Sequence, residues 1–228
     1  MSSSVATLDR GGASERIRRA AIALFKARGY HGAPVRALAR LVRVEAASLY
    51  YHFPSKQEIL ADILTRVMDD LLEGLQRAIQ GVKTPEERLR AAVRFHVLFH
   101  IERQDEAFLS HNELRSLTGP NLRRIIAKRD HYETMFRTLL GAGIKAGVFE
   151  LRDVRLTSIA VLTMCSGVSD WFSRPGRLSP DAVADAYADK VLQLVSRAGR
   201  PRRLRPPSGR ERMIPVSRPR LARRRRGA

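Results

Sequence analysis

A single cysteine, Cys165, stands in 228 residues. One thiol cannot close an internal disulfide, and it excludes zinc sites built on several cysteines. An intracellular protein is the simplest expectation. Long hydrophobic runs are missing too. The apolar stretch around residues 159–165 falls well short of the roughly 20 residues needed to cross a bilayer. The opening stretch, MSSSVATLDR, lacks the apolar segment of a secretory signal. Nor is there a Gly-x-Ser-x-Gly elbow, a phosphate-binding P-loop or a Gly-x-Gly-x-x-Gly dinucleotide turn. The adjacent acids Asp69-Asp70 and Glu86-Glu87 suit helix surface and capping better than acid–base chemistry. No catalytic residue, metal site or cofactor is expected, and the chain does not read as an enzyme.

Acidic residues are scarce: 23 against 42 Lys and Arg, a net charge of +19. That excess calls for a polyanionic partner. Its distribution is uneven. Residues 197–228 hold 13 Arg and one acid, residues 1–60 carry a net +6, and residues 61–196 carry only +1. A basic head and a very basic tail thus flank a near-neutral middle.

Apolar residues recur at helical spacing nearly everywhere, which predicts an all-α fold of about nine helices. A first helix over 14–28 has Ser14 as cap and Gly29 as terminator. Short helices follow near 34–41 and 45–51, then a long one over 56–80 with the stripe Leu60, Ile63, Leu64, Val67, Leu71 and Leu75. Thr84-Pro85-Glu86-Glu87 is a capping box with proline at the first helical position. Later helices are expected at 106–117, 120–145, 153–172 and 180–197. Four segments result: an N-terminus over 1–13 that is expected to be flexible, a three-helix unit over 14–56, a larger helical bundle over 57–198, and an Arg- and Pro-rich tail over 199–228. The tail is too poor in apolar residues to pack a core, so disorder is expected there.

Residues 34–51 have the proportions of a helix-turn-helix. Leu38, Ala39, Val44 and Leu49 supply its inward side. Ala46, Ala47 and Ser48 give the second helix a small leading end that fits the major groove. Tyr50, Tyr51 and His52 offer donors to phosphate, Arg36 and Arg43 flank the helix, and Lys56 sits at the start of the next. The bland alternative is that this cluster of rings simply closes a small bundle. The spaced set Ala21, Leu24, Phe25, Gly29, Tyr30, Val35, Leu38, Ala39 and Leu49-Tyr50-Tyr51-His52-Phe53 with Ser55-Lys56 resembles the tetracycline-repressor (TetR) family of bacterial regulators. The likeness covers about residues 14–62. It implies operator contacts from Arg36, Arg43, Glu45, Ala46, Ala47, Ser48, Tyr50, Tyr51, His52 and Lys56. Arg43 stands where family members commonly have glycine, and Ala33-Pro34 replaces a common threonine.

In the middle segment, Glu113-Leu114-Arg115-Ser116-Leu117, Arg129-Asp130-x-Tyr132, Gly143-x-x-x-Gly147-x-Phe149, Trp171-Phe172 and Leu178-Ser179-Pro180 are similar to the ligand domain of a TetR subgroup. Those regulators govern fatty-acid and steroid breakdown and answer to acyl-CoA thioesters. Candidate ligand contacts are His96, Phe99, His100, Asn112, Arg115, Arg129, Tyr132, Met164 and Trp171. His96 and His100 share a helix face at metal-ligand spacing, but no third ligand is fixed, so pocket or core histidines are the preferred reading. Arg123, Arg124, Lys128 and Arg129 form either a solvated face or a phosphate seat. Glu113 and Arg115 serve either as scaffold or as effector contacts. The eighth and ninth helices, apolar and dotted with small residues, are the expected homodimer face, and a two-fold dimer requires a pseudo-palindromic operator. Cys165 reads as core. The resulting expectation is a cytoplasmic repressor released from DNA by a small molecule, without membrane contact. The competing expectation is nonspecific DNA binding through the arginine tail.

Overall fold

The computed structural model describes residues 3–174 and 176–196, so the Arg- and Pro-rich tail lies outside the described residues. Among the described residues ten α-helices follow one another: α1 Ser3–Arg28, α2 Val35–Val42, α3 Ala46–His52, α4 Lys56–Ile79, α5 Pro85–Glu102, α6 Gln104–Asn112, α7 Gly119–Lys145, α8 Val154–Ser166, α9 Val168–Trp171 and α10 Pro180–Val195. A single 3-10 turn, Leu114–Ser116, joins α6 to α7. Nine of the helices have seven residues or more. The four-residue α9 is the far side of a break at Gly167 in the expected eighth helix. No strand forms among the described residues; Phe149 and Ser196 make one isolated bridge.

The local signals act through identifiable hydrogen bonds. Thr84 Oγ1 accepts from Glu87 N at 3.3 Å and donates to Glu87 Oε2 at 2.9 Å, so the capping box closes in both directions. Ser55, Asp153 and Ser179 cap α4, α8 and α10 through their side chains. The first helix departs from expectation. It begins at Ser3, so Ser14 lies inside it, and Ser14 Oγ meets His52 Nδ1 at 3.4 Å instead of capping. Extending a nucleated helix by a residue costs little, and residues 3–13 follow the helix they precede.

One apolar core runs from the head, with Phe25, Leu38 and Leu49, into the bundle, with Leu64, Leu89, Phe136 and Val191. The head is therefore seated on the bundle and not strung from it. At the end of α7, Gly147 has φ +75°, the chain reverses, and the Phe149 ring lies on Gly143 so closely that any Cβ there would collide with it. The glycines of that motif thus make room for a tight return.

Arg43, in the α2–α3 turn, adopts the left-handed conformation (φ 57°, ψ 47°), alone among the described non-glycine residues in having positive φ. Its N–H reaches the end of α2, bonding Arg40 O at 3.2 Å, and this closes the turn. A side chain there costs about 1 kcal/mol. Arg43→Gly is expected to raise stability by up to about 1 kcal/mol in urea unfolding and, if Arg43 is the phosphate contact that the sequence leads one to expect, to weaken DNA binding and flatten its salt dependence.

Candidate DNA interface and ligand cavity

Buried Leu38, Ala39 and Leu49 pin α2 and α3 to α1 and leave one side of the pair facing solvent. On that side Arg36, Arg43, Glu45, Ala47, Ser48, Tyr50 and Tyr51 are exposed, and Ala46 and His52 are half-buried. Arg40, one turn beyond Arg36, is exposed as well and was not among the sequence candidates; its i+4 spacing from Arg36 is the signal that finds it. Lys56 differs from expectation. Its ammonium turns inward, donating to Tyr30 O at 2.8 Å and Ala33 O at 3.1 Å and lying 4.3 Å from the centre of the Tyr30 ring. Those carbonyls end α1 and the loop after it, and a cation satisfies them. Burial pulls the Lys56 pKa down, partly offset by the Glu113 carboxylate.

Glu113 joins the two halves of the molecule. Its Oε1 accepts from Tyr30 N at 3.0 Å, and its Oε2 accepts from Ser116 Oγ at 2.7 Å. Around it, Gln57 Nε2 donates to Ser116 O at 2.5 Å, and Asn121 Nδ2 donates to Glu58 Oε1 at 2.7 Å. Lys26 pairs with Asp105 nearby. The stretch from α6 to the start of α7 therefore grips the end of α1 and the start of α4. Of the two sequence readings of Glu113, the structure places it as scaffold. Glu113→Ala leaves the Tyr30 N–H and the Ser116 hydroxyl without an acceptor and Lys56 without its carboxylate. A loss of about 2–3 kcal/mol is expected, read as a melting temperature lower by roughly 4–10 °C.

Behind α6, between α4, α5, α7 and α8, lies a cavity of about 90 Å³. Met68, Leu71 and Leu162 form its apolar wall, and His96, His100, Ser110, His111, Arg129, Tyr132 and Ser166 form its polar wall. Both nitrogens of the His96 ring are taken: Nδ1 lies 2.9 Å from Tyr132 Oη, and Nε2 lies 3.0 Å from Ser166 Oγ. His100 Nδ1 donates to His96 O at 2.9 Å. Arg129 Nη1 donates to Ser110 O at 3.2 Å. Burial holds His96 well below its ordinary pKa and brings His100 down to about 4, with His111 and Arg129 adding repulsion at His100. Burial, and then Arg129, lower His111 as well.

His111 also borders an outer groove of about 360 Å³, lined with Asn112, Leu114, Arg115 and Leu122. Cavity and groove thus meet at one side chain. Of the sequence candidates, His96, His100, Arg129 and Tyr132 come together at the cavity, and Asn112 and Arg115 stand outside it. Phe99, Met164 and Trp171 do not line it. Phe99 is buried against Phe95, with the Arg103 guanidinium 5.2 Å from its ring. Met164 is exposed, and Trp171 stacks on Tyr187, to whose hydroxyl its Nε1 donates at 3.2 Å. Spacing along α5 puts Phe99 one residue round from His100, whose ring it meets edge-on at 5.8 Å without itself lining the cavity. Met68, Leu71, Leu162 and Ser166 escaped the sequence reading because nothing in their pattern separates a cavity wall from core. Cys165, buried and with its thiol pKa pushed up to about 12, is core as expected. A larger open groove of about 840 Å³ lies between the end of α4 and α7, lined by His131 and apart from the three histidines of the cavity.

A two-helix reading unit seated on a helical bundle with an inner polar cavity defines a helix-turn-helix DNA-binding regulator. Family comparison makes this specific. Residues 17–63 match the model for bacterial regulatory proteins of the tetR family, and residues 82–195 match the tetracyclin repressor-like C-terminal domain. The chain belongs to the TetR family of transcriptional regulators, which are not enzymes. It is 26% identical over 187 residues to the HTH-type transcriptional repressor KstR2 of Mycobacterium tuberculosis, covering 78% of this chain and 90% of that one. The TetR-family regulator PfmR of Thermus thermophilus superposes with a TM-score of 0.72 at 34% identity, over 78% of this chain and 97% of its own. AibR, solved in complex with isovaleryl coenzyme A and operator DNA, superposes with a TM-score of 0.71 at 25% identity, over 81% and 98%. No helix among the described residues is long and apolar enough to cross a membrane.

Proposed function

We propose that this regulator is a dimeric repressor that leaves a palindromic operator when an acyl-CoA enters the cavity beneath α6. The observation that carries this reading is the chain of contact from cavity to head. His111 and Ser110, on α6, line the cavity, and Glu113, at the end of the same helix, holds the backbone of Tyr30 in the head. A ligand that shifts α6 thereby acts on the seat of α1 and α4. It must bind the two states unequally: a hundredfold change in operator affinity takes about 2.7 kcal/mol of coupling. The likeness to AibR supports a CoA thioester, and Arg115, which lines the outer groove, with the exposed Arg123 and Arg124 of α7, supplies charge for its phosphates.

The DNA contacts are those on the solvent side of α2 and α3, from Arg36 to His52, with Lys56 contributing its backbone at the start of α4 and not its ammonium. Leu156, Ile159 and Met164 on α8 and Leu194 on α10 are exposed apolar residues that a second copy would cover. The reading unit, the bundle and the arginine tail then divide the work as reader, sensor and nonspecific DNA tether in the cytoplasm.

The test is selection of bound sequences from random DNA by the full chain and by a chain ending at 198, followed by titration with acyl-CoAs. Expected are the same inverted-repeat site from both chains and its release by an acyl-CoA. Loss of all sequence preference on removal of the tail overturns the assignment of reading to α3.

A further inference from the structure

We propose, building on the acyl-CoA reading, that the effector carries a short acyl group of about four carbons with a hydroxyl on it. The hydroxyl donates to His100 Nε2, and the thioester carbonyl oxygen accepts from Arg129.

Size comes first. A cavity of 150 Å³ accepts benzene, six carbons. By that measure the 90 Å³ here takes about four heavy atoms, the three carbons and the hydroxyl oxygen that a hydroxybutyryl group carries beyond its thioester carbonyl. A steroid nucleus or a long acyl chain does not fit without prising α4, α5 and α7 apart.

Polarity narrows the choice further. The acceptor of His100 Nδ1 is the His96 carbonyl, which has no hydrogen to give, so Nδ1 carries the proton. Burial keeps the ring neutral. Nε2 is then a bare acceptor in a ring that lines the cavity, with no hydrogen-bond partner among the described residues. His96 has no such vacancy, since the Tyr132 and Ser166 hydroxyls hold both its nitrogens. Arg129 presents the opposite need. Its guanidinium is half-buried, forms no ion pair with any carboxylate among the described residues, and spends one N–H on the Ser110 carbonyl. Its remaining donors are available to an oxygen of the ligand. One small cavity therefore offers an unfilled neutral acceptor and an unfilled cationic donor. A plain acyl thioester satisfies Arg129 through its carbonyl but buries Nε2 unpaired. A hydroxyacyl thioester satisfies both.

The test is calorimetric titration of the full chain with butyryl-CoA, 3-hydroxybutyryl-CoA, decanoyl-CoA and free 3-hydroxybutyrate. Expected is binding of 3-hydroxybutyryl-CoA at least about tenfold tighter than butyryl-CoA, as a hydroxyl filling a buried acceptor gives, with decanoyl-CoA weaker than either. Equal binding of the hydroxylated and plain butyryl thioesters, or tightest binding of decanoyl-CoA, overturns the inference and leaves the acyl-CoA reading standing. Failure of every thioester to bind overturns both. Free 3-hydroxybutyrate binding as tightly as its thioester overturns the CoA reading alone. His100→Leu, close in volume, is expected to erase the preference for the hydroxyl while retaining butyryl-CoA. The wild-type series decides the matter if that variant does not fold.

Discussion

Ala47→Glu should abolish operator binding while leaving the protein folded. Ala47 is exposed in the first turn of α3, with no partner to lose. A carboxylate there faces the free N–H groups of the helix start, so the helix is unharmed or slightly favoured. Against DNA the same charge meets a surface carrying one phosphate per roughly 1.7 Å of axis. The longer side chain also fills the space through which the small end of α3 approaches the base edges. Like charges brought together at an interface cost several kcal/mol. For the two recognition helices of the proposed dimer, affinity should fall by roughly a thousandfold or more, about 4 kcal/mol. Gel-shift titration at fixed salt measures the loss, and thermal melting checks the fold. Retention of wild-type affinity would place the reading surface elsewhere than α3. Effector binding, measured on the same variant, should be unchanged because the cavity lies in the bundle.

The reading unit was the most legible part of the sequence. Leu38, Ala39 and Leu49 follow from helical spacing, and the small residues at 46–48 announce a helix meant to approach something closely. Lys56 shows where that reading stops. Its place in the chain marks a helix start, but the same position puts its ammonium within reach of the Tyr30 and Ala33 carbonyls, which only folding brings there. Arg43 was legible as a departure, and the structure shows the turn keeping its left-handed geometry despite the side chain. In the bundle, periodicity finds the helices but not the faces that matter. Phe99 and His100 are neighbours on one helix with different duties, and a stripe of apolar residues looks the same whether it meets core, cavity or a second copy. Met164 and Trp171, candidates for the ligand from the sequence, are exposed and do not line the cavity. Glu113 and Tyr30 lie 83 residues apart, and no local pattern joins them.

The second large effect concerns acid. His96, His100 and His111 all resist protonation in the folded protein, chiefly through burial, and His100 does so down to about pH 4. In the unfolded chain each returns to its ordinary value near 6.5. Above that pH both states are neutral and the stability is intact. Below it the unfolded chain gains protons that the folded protein refuses, so stability falls as pH falls, by up to about 1.4 kcal/mol per unit for each of the two buried histidines, His96 and His100. For His100 the window runs from 6.5 to about 4, a loss of about 3 kcal/mol across it. His96 moves in the same direction. Urea unfolding at pH 7, 6 and 5 should therefore show a steep decline in the wild type and a shallower one in His100→Leu, by about 1.4 kcal/mol per unit once well below 6.5. The carboxylates titrate alike in both proteins and cancel in the comparison. Parallel pH curves would show that His100 takes up its proton freely in the fold. It would then be a donor at both nitrogens, and the cavity would select an acceptor where a hydroxyl donor is expected.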